Sequence, residues 1–174
     1  MSSDEFFAEY DVRVFFPRGV DIAFLDGMHR FEYLLRDFMN TERCCHDRSL
    51  ILLHDCLPVN LRMAERKWLT DPAEQESTRS WWAGDVWRLL PILKKYRPDL
   101  RMRFLDCPPT GLVAVTNLDP RSAVLRRSYY TILDEFSCLD LSSYGLDQLW
   151  SLFPTLNSRD IIAEEVLTFV FSVF

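Results

Sequence analysis

The chain of 174 residues has few glycines, few histidines and no excess of positive charge. It contains five glycines and three histidines, and its net charge is −6. A protein that binds nucleic acid needs a basic surface to neutralise phosphate groups, so the charge argues against nucleic acid as a partner. No apolar run approaches the roughly 20 residues of a membrane-spanning helix, and we therefore expect no membrane partner.

Paired cysteines are also missing. The five cysteines are odd in number and none has CxxC spacing. This argues against a disulfide framework or a structural zinc site, both of which use regularly spaced cysteines. The opening segment MSSDEFFAEY is acidic and polar, unlike a secretory signal. We therefore expect reduced thiols and a cytoplasmic protein.

The sequence does contain apolar strands that alternate with amphipathic helices. Continuous apolar runs predict strands at 20–25 and 49–54, and a 3.6-residue apolar period predicts a helix at 28–43 between them. After a long polar connection, a helix is predicted at 86–97, with Asp85 as its N-cap.

Two further strands are predicted at 101–106 and 111–118. The segment between them is too short for a crossover helix, so we expect antiparallel neighbours. Residues 1–120 are therefore predicted as an α/β domain, a mostly parallel sheet with a C-terminal antiparallel strand and helices on both faces. Residues 121–174 are predicted as a helical extension packed on it.

Two aspartates end the first two predicted strands. Ligands of such sheets bind beyond the carboxyl ends of the strands, and neighbouring strands lie about 4.8 Å apart, so Asp26 and Asp55 should share one crevice. Two carboxylates this close repel unless a cation neutralises them. We predict a divalent metal held by Asp26, His54 and Asp55, with Asn60 as a further candidate oxygen ligand. Oxygen ligands favour magnesium, and an imidazole broadens the choice to manganese, iron or zinc.

A simpler interpretation stays open at this point, because an aspartate at a strand-to-helix junction often only caps the helix. His29, predicted in the first turn of the helix, is the candidate general base, since its ordinary pKa near 6.5 suits that role. His54 is the second candidate catalytic residue.

Four segments in order resemble a family of class I S-adenosylmethionine-dependent methyltransferases over about residues 2–120. They are VDIAFLDGMHRFEYLLRDF, LILLHDCLPVN, WWAGDVWRLLPILKKYRPDL and FLDCPPTGLVAVTNLDP. The resemblance implies a partial Rossmann-like fold, the C-terminal half of a seven-stranded sheet whose antiparallel strand is last. It also implies S-adenosylmethionine as cofactor, with Asp26 and Gly27 at its site, and a metal that orients an acceptor hydroxyl.

The glycine-rich turn that binds the methyl donor in this family has no counterpart in the sequence. Such a site needs glycines for close backbone approach, and no GxGxG occurs. The segment that would carry it would precede Met1, so the chain is expected to be a fragment or a decayed relative.

Two functions therefore remain, together with a third, a domain that binds a metal or a phosphate-sugar in the crevice without methyl transfer. The first is part of a metal-assisted O-methyltransferase acting on a sugar or small hydroxylated metabolite, inactive as this chain alone. The second is a non-catalytic interaction or oligomerisation module, because a half-sheet would leave the edge of strand 20–25 unpaired and open to a second copy of the chain.

Overall fold

The structure is a computed structural model that describes residues 1–68 and 81–161. In these ranges five strands form one open sheet: β1 (Val20–Leu25), β2 (Cys45–His54), β3 (Arg101–Leu105), β4 (Leu112–Thr116) and β5 (Thr155–Leu156). The α-helices of the same ranges are α1 (Ser3–Glu9), α2 (Val12–Phe15), α3 (Phe31–Glu42), α4 (Leu89–Tyr96), α5 (Val124–Arg127), α6 (Tyr129–Phe136), α7 (Leu141–Tyr144) and α8 (Leu146–Trp150). The protein is a mixed α/β fold.

The strand order is β1-β2-β4-β3-β5. β1 lies parallel to β2 and β3 lies parallel to β5, whereas β4 runs antiparallel to both β2 and β3. The predicted antiparallel pairing of the strands near 101–106 and 111–118 is confirmed. The prediction of a mostly parallel sheet is not correct in that form. Because β4 inserts between two strands of the opposite direction, parallel and antiparallel pairings are equally frequent among the described strands.

Helix α3 begins three residues later than its apolar period predicts. Its first residue is Phe31, whose backbone N–H donates to the Asp85 carboxylate at 2.9 Å. Leu34, Leu35 and Phe38 are buried on its inner side, as the period predicts. His29 therefore lies in the loop before the helix and not in its first turn.

The segment after Gly84 differs from its prediction in where the α-helix begins and in what Asp85 caps. Residues Val86–Arg88 form a 3-10 helix and α4 follows from Leu89, so Pro91 falls in a first turn, where its missing N–H costs little. Asp85 stands at the N-cap position but makes no side-chain cap bond to its own helix. Its carboxylate caps α3 instead.

The helices cover one face of the sheet in the described ranges, so the prediction of helices on both faces is not met there. One large core joins alternate strand residues to the apolar sides of these helices: Phe31, Leu35, Phe38, Ile51, Leu53, Leu90, Ile92, Phe104, Val113, Val115, Ile132, Phe136 and Leu149. The opposite face carries a small cluster of Leu50, Leu105, Ala114 and Ile161. Near it, Ile22 and Phe24 of the outer strand β1 are 61% and 55% exposed.

The region after residue 120 contributes helices to the same core. It also contains β5, which was not predicted because two residues carry no periodic signal. Residues 162–174 of the predicted extension lie outside the described residues, and the division near residue 120 stays a prediction. No helix in the described ranges is long and apolar enough to cross a membrane.

Candidate functional site

The register of β1 and β2 sets the position of the two aspartates. Leu25 pairs with Leu53 in the parallel ladder, so the next residues, Asp26 and His54, stand at the same level. Asp55 follows with a backbone φ of 58°, a left-handed conformation that aspartate tolerates better than most residues. This turn brings its carboxylate back toward Asp26, and the structure thus brings the two predicted carboxylates together.

Four side chains converge at this edge. The Nε2 atom of His29 lies 2.9 Å from Asp55 Oδ2 and 3.7 Å from Asp26 Oδ1. The Nδ1 atom of His54 lies 3.2 Å from Asp55 Oδ2 and 3.4 Å from Asp26 Oδ1. One ligand atom each from Asp26, His29 and Asp55 fall within 4.8 Å of one another.

The tautomer of His29 follows from its second ring nitrogen. Nδ1 lies 2.6 Å from the backbone carbonyl of Trp82, which can only accept a hydrogen bond, so Nδ1 carries the proton. The neutral ring then presents an Nε2 lone pair to the carboxylates, an arrangement that is favourable only when a proton or a cation lies between them. Metal-ligating histidines almost always donate their other ring N–H in this way, to a carboxylate, a backbone carbonyl or water.

Without a metal, a proton on His29 Nε2 occupies the position between the ring and the carboxylates. The hydrogen bond to Asp55 raises the pKa of His29 above its ordinary value, against the opposing effect of burial. Burial by itself would raise the pKa of Asp55, but the hydrogen bonds from His29 and Thr110 outweigh it and hold that pKa below its usual range. Both shifts favour the ionised forms, so the metal-free site favours an imidazolium of His29 beside a carboxylate of Asp55.

His54 lacks a geometrically sound partner for its inner nitrogen. Nδ1 is buried and makes no hydrogen bond within the described ranges, although two carboxylate oxygens lie within 3.4 Å. The ring packs near Phe24, with 5.7 Å between ring centroids. A buried, unpaired nitrogen beside two carboxylates is costly unless a further group completes its hydrogen bonds or coordination.

The spacing of these atoms fits a coordinated divalent ion. Adjacent ligands are about 3.0 Å apart around an octahedral ion with bonds of about 2.1 Å, and about 3.3 Å apart around a tetrahedral ion with bonds of about 2.0 Å. The observed separations run from 2.9 to 3.7 Å. The donor atoms of Asp26, His29 and Asp55, which lie within 4.8 Å of one another, therefore suit a metal, and His54 stands beside them with an Nδ1 atom that hydrogen bonding leaves unsatisfied.

The helix-cap interpretation of the aspartates is not supported. The first N–H of α3 is taken by Asp85, and Asp55 accepts from Thr110 at 2.6 Å and contacts His29. Asn60 is not directed to the site, because its side-chain oxygen accepts from the backbone N–H of Met63. Gly27, predicted at a cofactor site, has no contact that tests this role.

Residues 82–85 contact His29 and fix its position. A Cβ on Gly84 would lie 2.0 Å from the His29 carbonyl oxygen, so this backbone approach needs glycine, which also has a φ of 64°. The N–H of Asp85 donates to the same carbonyl at 3.3 Å. The Trp82 ring lies beside the His29 ring, with centroids 5.1 Å apart. The WAGD stretch therefore has a physical role, which is to position His29.

Two supporting residues were missed by sequence reasoning, the Trp82 carbonyl and Thr110. A backbone carbonyl has no sequence signal, and Thr110 stands 55 residues from its partner in a segment that reads only as a turn. No protein-family model, no curated protein and no solved structure matches the chain. The chemistry of the site must therefore carry any functional conclusion.

Proposed function

We propose that the chain is part of an O-methyltransferase whose divalent metal is held by Asp26, His29, His54 and Asp55. The acceptor is a sugar or another small hydroxylated metabolite, and the methyl donor is S-adenosylmethionine. One observation carries the metal site: His29 Nδ1–H is committed to the Trp82 carbonyl while Nε2 faces two carboxylates. The methyl-transfer part rests on the sequence resemblance.

The order of the strands supports that part. The resemblance implies parallel strands followed by an antiparallel one as the last strand, and β4 is the antiparallel strand that follows β1, β2 and β3 in the chain, although the short parallel strand β5 comes after it. The site also lies at the carboxyl ends of neighbouring parallel strands, where ligands of open α/β sheets bind.

A bound metal would act as a Lewis acid, holding the acceptor hydroxyl and easing its deprotonation. The residues of the chain have complementary roles. The two carboxylates supply the negative charge that attracts a divalent cation, and Asp26, with a side chain 38% exposed, lies on the solvent side. His29 serves as a ligand in this proposal and not as a free general base, because both of its nitrogens are engaged.

The donor set changes the expected metal. Two carboxylates alone favour magnesium, but imidazole nitrogens favour transition ions such as manganese, iron and zinc. With His29 Nε2 directed into the site and His54 Nδ1 beside it, we propose tighter binding of Mn²⁺ or Zn²⁺ than of Mg²⁺.

Calorimetric titration of the chelator-treated chain with MnCl₂, ZnCl₂ and MgCl₂ tests the metal site. Wild type should bind one Mn²⁺ or Zn²⁺, and His29→Gln and Asp55→Asn should each weaken binding by at least about 100-fold. Asp21→Asn is the matched control, since Asp21 lies on β1 outside the cluster, is 90% exposed and contacts His46. Stoichiometric binding that is unchanged in both site variants would overturn the proposal, as would no binding by wild type.

Titration with S-adenosylmethionine tests the donor half separately. Four of the five glycines have a positive φ at turns elsewhere, at residues 19, 84, 111 and 145, and none lies in a GxGxG. We therefore expect no binding of S-adenosylmethionine by this chain alone. Micromolar binding would show that the donor site is built without that turn.

A second candidate function is self-association through β1. This strand is one of the two outer strands of the sheet in the described ranges, and two of its apolar side chains, Ile22 and Phe24, are more than half exposed. Unpaired strand edges with apolar side chains recruit further strands. Gel filtration with light scattering should show a dimer that Phe24→Thr weakens, and a wild-type monomer across concentrations would exclude this function.

A further inference from the structure

We infer that Thr110 is a positioning residue of the metal centre, which directs the Asp55 carboxylate so that Oδ2 serves as the ligand. This inference rests on the proposed metal site. It concerns a residue outside the cluster, which stands in the turn between β3 and β4 and donates to Asp55. Thr110 is 1% exposed, and its hydroxyl donates to Asp55 Oδ1 at 2.6 Å.

The two oxygens of Asp55 have separate partners. Oδ1 accepts from Thr110, whereas Oδ2 lies 2.9 Å from His29 Nε2 and 3.2 Å from His54 Nδ1. A carboxylate on a single χ2 torsion can rotate about a broad, roughly two-fold well. The hydroxyl removes this freedom, because rotation would break its hydrogen bond in a buried setting.

The turn that carries Thr110 is held against Asp55 by further contacts. The backbone N–H of Leu57 donates to the Thr110 carbonyl at 3.1 Å. A Cβ on Gly111 would lie 2.5 Å from Leu57 Cδ1, so the two turns pack without space between them. The backbone that carries the Thr110 hydroxyl is therefore held against the Asp55 segment by contacts that involve no ligand atom of the site.

Hydrogen bonds to a ligating carboxylate act on metal affinity, and their removal typically costs 10- to 100-fold. Thr110→Val keeps the shape and removes the donor, while Thr110→Ser keeps the donor and removes a methyl group. The comparison of these two variants separates the hydrogen bond from the packing, because serine loses more packing than valine does.

Mn²⁺ affinity by calorimetry and metal-free thermal stability should be measured for wild type and both variants at one pH. We expect Thr110→Val to bind Mn²⁺ 10- to 100-fold more weakly and Thr110→Ser to stay within about threefold of wild type. Equal affinity of Thr110→Val and wild type would overturn the inference. So would an equal loss in both variants, which would indicate packing.

If Thr110→Val does not fold, Thr110→Ala against Thr110→Ser gives the same comparison with the same expected split. Failure of the proposed metal site has a different signature, since wild type itself would then bind no Mn²⁺. A folded Thr110→Val with normal metal-free stability and weak binding would support positioning alone.

Discussion

Buried carboxylates occur in two kinds of region in this protein, and they are neutralised differently. Glu42 is 3% exposed and pairs with Arg97 at 2.7 Å. Asp85 is 1% exposed and accepts from both Arg66 and Arg88. At the sheet edge, in contrast, the charged contacts of Asp55 are the imidazoles of His29 and His54.

The two kinds of region differ in whether the cationic side chain can lose its proton. A guanidinium keeps its proton at any accessible pH, so the arginine pairs are permanent parts of the fold. An imidazole loses its proton near neutrality, and the carboxylate is then free for another cation. The arginine-paired acids thus hold the fold together, whereas the imidazole-paired acids form a site that can exchange a proton for a metal.

The largest loss of stability is expected from a substitution of Arg97. Arg97→Met removes the partner of a buried Glu42, and uncompensated buried charges cost about 3–5 kcal/mol of unfolding free energy. Urea denaturation checks this. Lys95→Met is the matched control, because the Lys95–Glu135 pair is exposed and its removal should cost little stability. Similar losses in both variants would contradict the prediction.

Gly84→Ala should have the next largest effect. The new Cβ would displace the His29 carbonyl, and overpacking of this kind costs about 1–3 kcal/mol beyond the strain of a positive φ. Gly145→Ala shares the positive φ of 96° but meets only Gln148 Cβ at 3.6 Å. Denaturant midpoints of the two should differ accordingly, and only Gly84→Ala should weaken Mn²⁺ binding; equal effects on binding would remove the link between residue 84 and His29.

Asp55→Asn should change metal-free stability much less than Arg97→Met does. Asparagine still accepts from Thr110, tolerates the left-handed backbone and can donate to His29, so we expect a change below about 1 kcal/mol. Thermal unfolding in the presence of a chelator measures it. A loss as large as that of Arg97→Met would show that Asp55 is a structural acid as well.

The smallest effect is the pH dependence of the metal-free chain. The raised pKa of His29 contributes stability that is complete below about pH 6.5 and is lost as pH rises through that raised value. The lowered pKa of Asp55 contributes stability that is present above about pH 3.9 and is lost as pH falls below it. The pair therefore stabilises most between these limits.

Urea midpoints at pH 5.5 and 8.5, with chelator present, test this sign. Wild type should lose stability between them relative to His29→Gln, which cannot titrate. Metal affinity should move in the opposite direction, because the proton on Nε2 has to leave before a cation binds. A flat profile for the difference between the two proteins would refute the imidazolium–carboxylate pair.

Local patterns predicted much of the frame. The bounds of β1 agree with the apolar run at 20–25, and the pairing of β3 with β4 follows from the short connection between them. The closeness of Asp26 and Asp55 followed from one general rule, that carboxyl ends of adjacent parallel strands meet at one edge. Each of these features is determined by residues that are close to it in the sequence.

The rest depends on contacts between distant segments. The Asp85 carboxylate accepts from the backbone N–H of Phe31, 54 residues earlier in the chain. Sequence reasoning instead favours a local cap on the helix that follows Asp85. The partners of His29 and Asp55 at Trp82 and Thr110 likewise appear only once the chain is folded. In the described ranges the helices cover one face of the sheet, and this depends on where all of them pack. The hydrophobic period of any single helix does not reveal it.

The four converging side chains all belong to the first 55 residues, whereas the groups that orient them arrive from residues 82 and 110. During synthesis on a ribosome, an emerging chain would therefore carry every ligand long before it could arrange them. Tight binding of a cation would then indicate that the later half of the chain has packed against the first. A nascent chain stopped near residue 68 should bind a cation no more tightly than a disordered peptide of the same composition.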